Sequence, residues 1–186
     1  MEIINQTLET IDFSLHCPEG YYANCEFIRC NFAQVQLSDV TFEDCIFDTC
    51  DFSLAKMRNT SWHGAIFQDC KLMGTDFSTC NPFSSFRFER CQLGYANFHG
   101  MKLKQTCFIE CDMMESYFSE ADMEGAKFTQ CNLERALFHH TNLMGADFST
   151  AYNMAIIPSN NKLKNALFSR FNLEGLVVHL GIKLKD

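Results

Sequence analysis

Eleven cysteines and six histidines are the side chains with most chemistry to offer in this 186-residue chain. Thiolates and imidazoles together hold zinc, and paired thiols form disulfides or redox couples. The spacing suits none of these. There is no CxxC and no Cys/His run of zinc-site form. His63, His99, His139 and His140 fall at positions that face water in the pattern described below, with His16 and His179 near the ends. His99 and His139 share a file but stand about 10 Å apart, too far to share a metal. No glycine-rich phosphate loop and no nucleophile elbow occurs. The chain is therefore expected to be non-catalytic, without cofactor or metal.

The carboxylates carry more information. Acids outnumber Lys plus Arg by 23 to 15, a net charge of −8. That balance argues against direct nucleic-acid binding, which needs a basic face. Two blocks hold acids and no Lys or Arg. One contains Asp39, Glu43, Asp44, Asp48 and Asp51, the other Glu110, Asp112, Glu115, Glu120, Asp122 and Glu124. Such blocks can be ordinary solvated surface. They can also present phosphate-like charge that a DNA-binding protein accepts.

The elements that position these groups come from a repeat. Cys25, Cys30, Cys45, Cys50 and Cys70 differ by multiples of five, as do Cys91, Cys111 and Cys131. Large apolar residues recur at every fifth position from Phe27 to Phe77 and, after one extra residue, from Phe83 to Phe148. The phase lapses at Asn153 and Pro158 and returns at Leu163, Phe168 and Leu173. Sixteen of the 19 Phe are centres of this pattern. Two residues before most centres lies a small residue such as Ala55, Thr75 or Cys131, and the residue between is often Asn or Asp.

A period of five fits neither helix nor alternating strand. It fits a chain that turns a corner every five residues, with the centre and the small residue pointing inward. Four sides make a coil of 20 residues, and steps of 20 from Phe27 (21 across the insertion) land on Phe at 47, 67, 88, 108, 128, 148 and 168. The same step links Cys30, Cys50, Cys70, Cys91, Cys111 and Cys131. The expected fold is all-β, a right-handed quadrilateral β-helix of about eight coils and roughly 35–40 Å. The cysteines are expected as free thiols, since parallel side chains in one file are poorly placed to bridge. Phe86 and Met101 at small positions imply local widening.

Residues 1–20 are expected to cover the first coil, 21–170 to form the body with its extra residue near 78–85, and 171–186 to form a terminal helix and tail. Leu173, Leu176, Val177 and Leu180 recur as one helical face, with Asn172 as N-cap and Gly181 as stop. "IKLKD" (182–186) alternates like a short strand. The helix can plug its own coil or pair with a second copy. Pairing is preferred, because a plug leaves Leu176, Val178 and Leu180 poorly covered. No apolar run reaches membrane-span length. With its first basic residue at Arg29, the N-terminus lacks a signal-peptide head. A cytoplasmic protein, not bound to membrane, is expected.

The repeat resembles the pentapeptide-repeat family over nearly the whole chain. "MEII" (1–4), "DFS" (12–14), "ANCEFIRCNF" (23–32) and "FNLEGLVVHLGIKL" (171–184) resemble the quinolone-resistance (Qnr) proteins and relatives that protect against microcin or albicidin. The resemblance implies a rod-shaped homodimer joined through C-terminal helices. It implies a DNA mimic that binds DNA gyrase, with topoisomerase IV as a further candidate, and relieves inhibitor poisoning. Many Qnr proteins carry two long loops. Here Asn81, Pro82 and Phe83 are the only candidate remnant of one, and loopless relatives bind gyrase too. The alternative is an interaction scaffold with an unrelated partner.

Overall fold

The computed structural model describes residues 1–182. Short strands follow one another as β1 (Glu2–Ile4), β2 (Thr7–Glu9), β3 (Tyr21–Ala23), β4 (Glu26–Ile28), β5 (Thr41–Glu43), β6 (Ile46–Asp48), β7 (Ser61–His63), β8 (Ala65–Gln68), β9 (Phe86–Glu89), β10 (Cys107–Ile109) and β11 (Lys127–Thr129). All pair in parallel, in the orders β1-β3-β5-β7 and β2-β4-β6-β8-β9-β10-β11. Isolated bridges build the other two sides, one through Asn31, Asp51, Lys71, Gln92, Asp112 and Asn132, the other through Gln36, Lys56, Asp76, Asn97, Tyr117 and Leu137. Below, the side of β2 is the first, these two are the second and third, and the side of β1 is the fourth.

The seven-stranded sheet spans six turns, fewer than the eight expected, because beyond β11 the pairing thins to single bridges. Those bridges, Lys127 to Asp147 and Asp147 to Leu167, keep the 20-residue register.

Each corner falls two residues after a centre. Twenty-two non-glycine residues have φ between +48° and +63°, and all but Asn153 sit at this corner. The left-handed conformation costs an L-residue about 1–2 kcal/mol. Stacking offsets it, since the corner N–H donates to the next coil, as Arg29 does to the Asp48 carbonyl at 2.9 Å.

The core is four files of side chains. On the first side the Phe rings stack from Phe27 to Phe168 with centroids 4.7–5.3 Å apart and planes within 14°. Rings from adjoining sides meet them edge-on, as Phe98 meets Phe108 at 6.0 Å and 80°. This alternation suits the aromatic quadrupole.

The small positions do more than fill space. Cys50, Cys70, Cys91 and Cys131 each aim Sγ at a centre carbonyl in the preceding coil, all at 3.3 Å. Thr75, Ser116 and Thr141 do the same through Oγ at 2.7–3.0 Å. All eleven cysteines are unbridged. Burial pushes the Cys45 thiol up to about 11 and Cys80 up to about 12.

Three expectations need correction. The first twenty residues cover the first coil by being a coil. Its step is nineteen residues (Glu2 to Tyr21, Thr7 to Glu26, Asp12 to Asn31). A tight turn at Gly20 absorbs the missing residue; φ is +90°, and a Cβ there would lie 2.1 Å from the Met1 carbonyl oxygen.

Phe83 is no core centre. It is 73% exposed, with the Lys102 ammonium 5.1 Å above its ring. The extra residue lies between Asn81, still in register with Ser61, and Ser85, whose N–H reaches the Trp62 carbonyl. The interior is already taken by the Trp62 indole and by Phe86, which packs on Trp62, Phe77 and Phe88. Only Ser84 fits inward there, accepting a hydrogen bond from Trp62 N–H at 3.2 Å.

Finally, Asn172 does not cap a helix. A 3-10 turn (Arg170–Asn172) leads into α1 (Glu174–Val177), which runs into a second 3-10 turn (Val178–Leu180) and stops at Gly181 with φ +65°. The Asn172 amide donates instead to the Phe148 and Ala151 carbonyls, at 2.7 and 3.3 Å. Carbonyls left open by the last full coil outcompete a local cap. Only Ile182 of the strand-like tail falls among the described residues.

Candidate partner-binding surface

The proposed acids all point outward, as the five-residue phase demands. They do not form one face. Glu110 lies at the first corner, Asp112 and Glu115 on the second side and its corner, Glu120 at the third corner, and Asp122 and Glu124 on the fourth side. Half of this girdle is compensated, three of its six acids sharing two cations. Lys104 Nζ lies 2.8 Å from Glu124 and 3.4 Å from Asp122, and Arg135 lies 3.3 Å from Glu115. Asp112 accepts from the Asn132 amide at 3.0 Å.

Asp39, Asp44 and Asp48 differ. Among the described residues neither they nor Glu43 and Asp51 form an ion pair. Their partners are neutral: Asn59 for Asp39 at 3.2 Å, Thr49 for Asp48 at 2.8 Å, and Tyr21 for Glu43 at 2.7 Å. The hydrogen bond to Glu43 holds the Tyr21 phenol above its ordinary pKa.

Glu2, Glu9 and Glu19 in the first coil and Glu26 in the second adjoin these acids and were missed as site residues. Residues 1–55 hold ten carboxylates and one cation, Arg29, which pairs with Glu9. Residues 56–186 hold thirteen carboxylates and fourteen cations. The whole net charge of −8 thus arises at the N-terminal end, −9 against +1. A count by coil would have found this, and stepping by 20 would have found the Glu115–Arg135 and Lys104–Glu124 pairs.

Asn81, Pro82 and Phe83 form a short turn, in which Asn81 Oδ1 accepts from Phe83 N–H at 3.0 Å. At the far end the helical turns rest on the last coil. Leu176 packs against the core and Val177 is half-buried, while Phe171, Leu173, Val178 and Leu180 stay exposed. Gly175 allows this docking. Its carbonyl accepts from Ile156 N–H at 2.9 Å, and a Cβ there would lie 2.1 Å from the Met154 carbonyl oxygen. No group of three His, Cys, Asp or Glu among the described residues is arranged to hold a metal.

A family model described as "Pentapeptide repeat region" matches residues 21–98 and 83–177. The chain belongs to the pentapeptide-repeat family. No curated protein matches it. Among solved structures it resembles two trypsin-treated variants of QnrB1, a plasmid-mediated fluoroquinolone resistance protein. One is 22% identical with a TM-score of 0.68, covering 100% of this chain and 92% of that one. The other is 19% identical with a TM-score of 0.62, covering 100% and 97%. At these identities the likeness establishes the fold of this pentapeptide-repeat chain.

Proposed function

We propose that this protein is a non-catalytic DNA mimic of the cytoplasm. It binds a type II topoisomerase, DNA gyrase first and topoisomerase IV as the further candidate, and protects it from quinolones or peptide toxins. The observation that carries this reading is the uncompensated acidity of the N-terminal coils, −9 over 55 residues, on a rod with strand-spaced charges. A basic DNA-binding groove would meet carboxylates where it normally meets phosphates. The fold shared with a fluoroquinolone resistance protein supports the same choice of target.

The exposed Phe171, Leu173, Val178 and Leu180 are proposed to bury against a second copy about a two-fold axis. A dimer of this kind doubles the rod and puts an acidic end on each side. Leu176, already held by its own coil, contributes less than Leu173 and Leu180.

Gyrase supercoiling assays with added protein test the reading, with and without ciprofloxacin, microcin B17 and albicidin. Inhibition of supercoiling, or rescue from one of the three poisons, is the expected result. Neither effect at micromolar protein refutes it. The half-compensated second girdle favours a different reading, a scaffold for an unrelated protein. A pull-down that recovers one partner without gyrase or topoisomerase IV subunits would select that alternative.

A further inference from the structure

The repeat often puts Asn or Asp before a centre, and several of those side chains bond down the stack. Asn97 donates to Asp76, and Asn142 to Asp122, at 3.0 and 2.8 Å. On the third side the ladder stops after Asn97, and Tyr117 and Leu137 take its next places. The corner rule fails beside them. Of the non-glycine residues with positive φ, only Leu54 and Tyr95 carry large apolar side chains, and both lie in one corner file with Gly74 between them. Leu54 leans over Gly74, its Cδ2 2.8 Å from where a Cβ would sit. Folding gains only part of what burying either would give, since these side chains, with Met73, remain 42–58% exposed.

The exceptions are not scattered. From Tyr21 to Phe168 the exposed large apolar residues number eight, and six of them lie on the second and third sides. Tyr95 and Tyr117, with Asn97 and His99, line a shallow groove of about 330 Å³. Neither phenol bonds to another described residue, so both hydroxyls are open to a partner. Charge sets what that partner carries. Around Tyr95, Tyr117 and Leu137 these two sides hold Asp112, Glu115, Glu120 and Glu134 against one cation, Arg135, which already pairs with Glu115. A second copy would bring the same carboxylates face to face.

We infer that the edge between the second and third sides, from Tyr95 to Leu137 and beyond Lys56, Arg58 and Lys71, is a docking seam for a cationic amphipathic segment of another protein. Apolar side chains of that segment fill the groove between the tyrosines, and its lysines or arginines meet the flanking carboxylates. The seam lies away from the acidic N-terminal end, and the inference does not rest on the topoisomerase reading.

The test uses the full chain and an amphipathic helical peptide of leucine and lysine, with a leucine/glutamate peptide of the same pattern beside it. The lysine peptide is expected to bind and to protect amides between Tyr95 and Leu137 from hydrogen exchange, while the glutamate peptide does not bind. Tyr95→Ser, Tyr117→Ser and Leu137→Ser together should weaken binding about tenfold or more. A control with Phe83→Ser and Leu167→Ser, exposed apolar residues off the seam, should leave it unchanged. Protection confined to the N-terminal coils, equal binding of the glutamate peptide, or unchanged binding of the triple variant overturns the proposal. So does sedimentation showing that the triple change abolishes a dimer, which would make the seam a contact between copies.

Discussion

Replacing Phe108 by alanine should be among the most damaging single changes in this protein, and replacing Phe83 among the least. Phe108 is fully buried between Phe88 at 5.3 Å and Phe128 at 5.2 Å, with Phe98 and Phe118 edge-on at 6.0 and 6.2 Å. Truncating a core Phe costs about 3–5 kcal/mol, more where the site cannot collapse. Here it cannot, because backbone hydrogen bonds above and below hold the coils at fixed spacing. A loss of about 4–5 kcal/mol is expected. Phe83 offers only the cation over its ring, worth about 0.5–1 kcal/mol at an exposed site. Urea denaturation by circular dichroism would measure both. Trp62, the single tryptophan, lies two coils before Phe108 and reports the N-terminal half. Solenoid stability is a sum of neighbour terms, so Phe108→Ala should also separate the tryptophan and circular-dichroism transitions. A Phe108→Ala cost below about 1 kcal/mol, or equal to that of Phe83→Ala, would refute the stacked-ring account of the core.

Three further outcomes are expected. Gly175→Ala drives a methyl group into the Met154 carbonyl, so the helical turns should lift off; hydrogen exchange should show the Ile156 amide losing protection, and retained protection would contradict the docking. The Cys45 and Cys80 thiols titrate above their unfolded value, so their contribution is whole below about pH 9 and lost as pH rises toward 11–12. The unfolding free energy from urea titrations should therefore hold from pH 8 to pH 9 and fall from there to pH 10.5, by at most about 1.4 kcal/mol per thiol per pH unit, and a flat profile would count against sealed thiols. Reversing Asp39, Asp44 and Asp48 to Lys should weaken gyrase binding far more than reversing Glu115, Asp122 and Glu124, three acids that already share two cations; equal losses in a binding titration would argue against the uneven distribution.

The five-residue phase was legible because facing inward or outward is a local property of the backbone. Once Phe27, Phe47 and Phe67 share a file, the coil length, the buried thiols and the outward acids follow without knowledge of any contact. Phe83 shows where that reasoning stops. It keeps the phase of Phe88 and is still excluded, because Trp62, near it only across coils, and Phe86 occupy the space. The same holds for Asn172, which reads as a helix cap but turns toward the Phe148 and Ala151 carbonyls more than twenty residues earlier. Whether Glu115 or Asp44 is a free charge likewise depended on which residue stacks beside it. Local stereochemistry determined the coil; competition for volume, hydrogen bonds and counter-charge between coils, which only the stacked structure brings together, decided what its surface offers a partner.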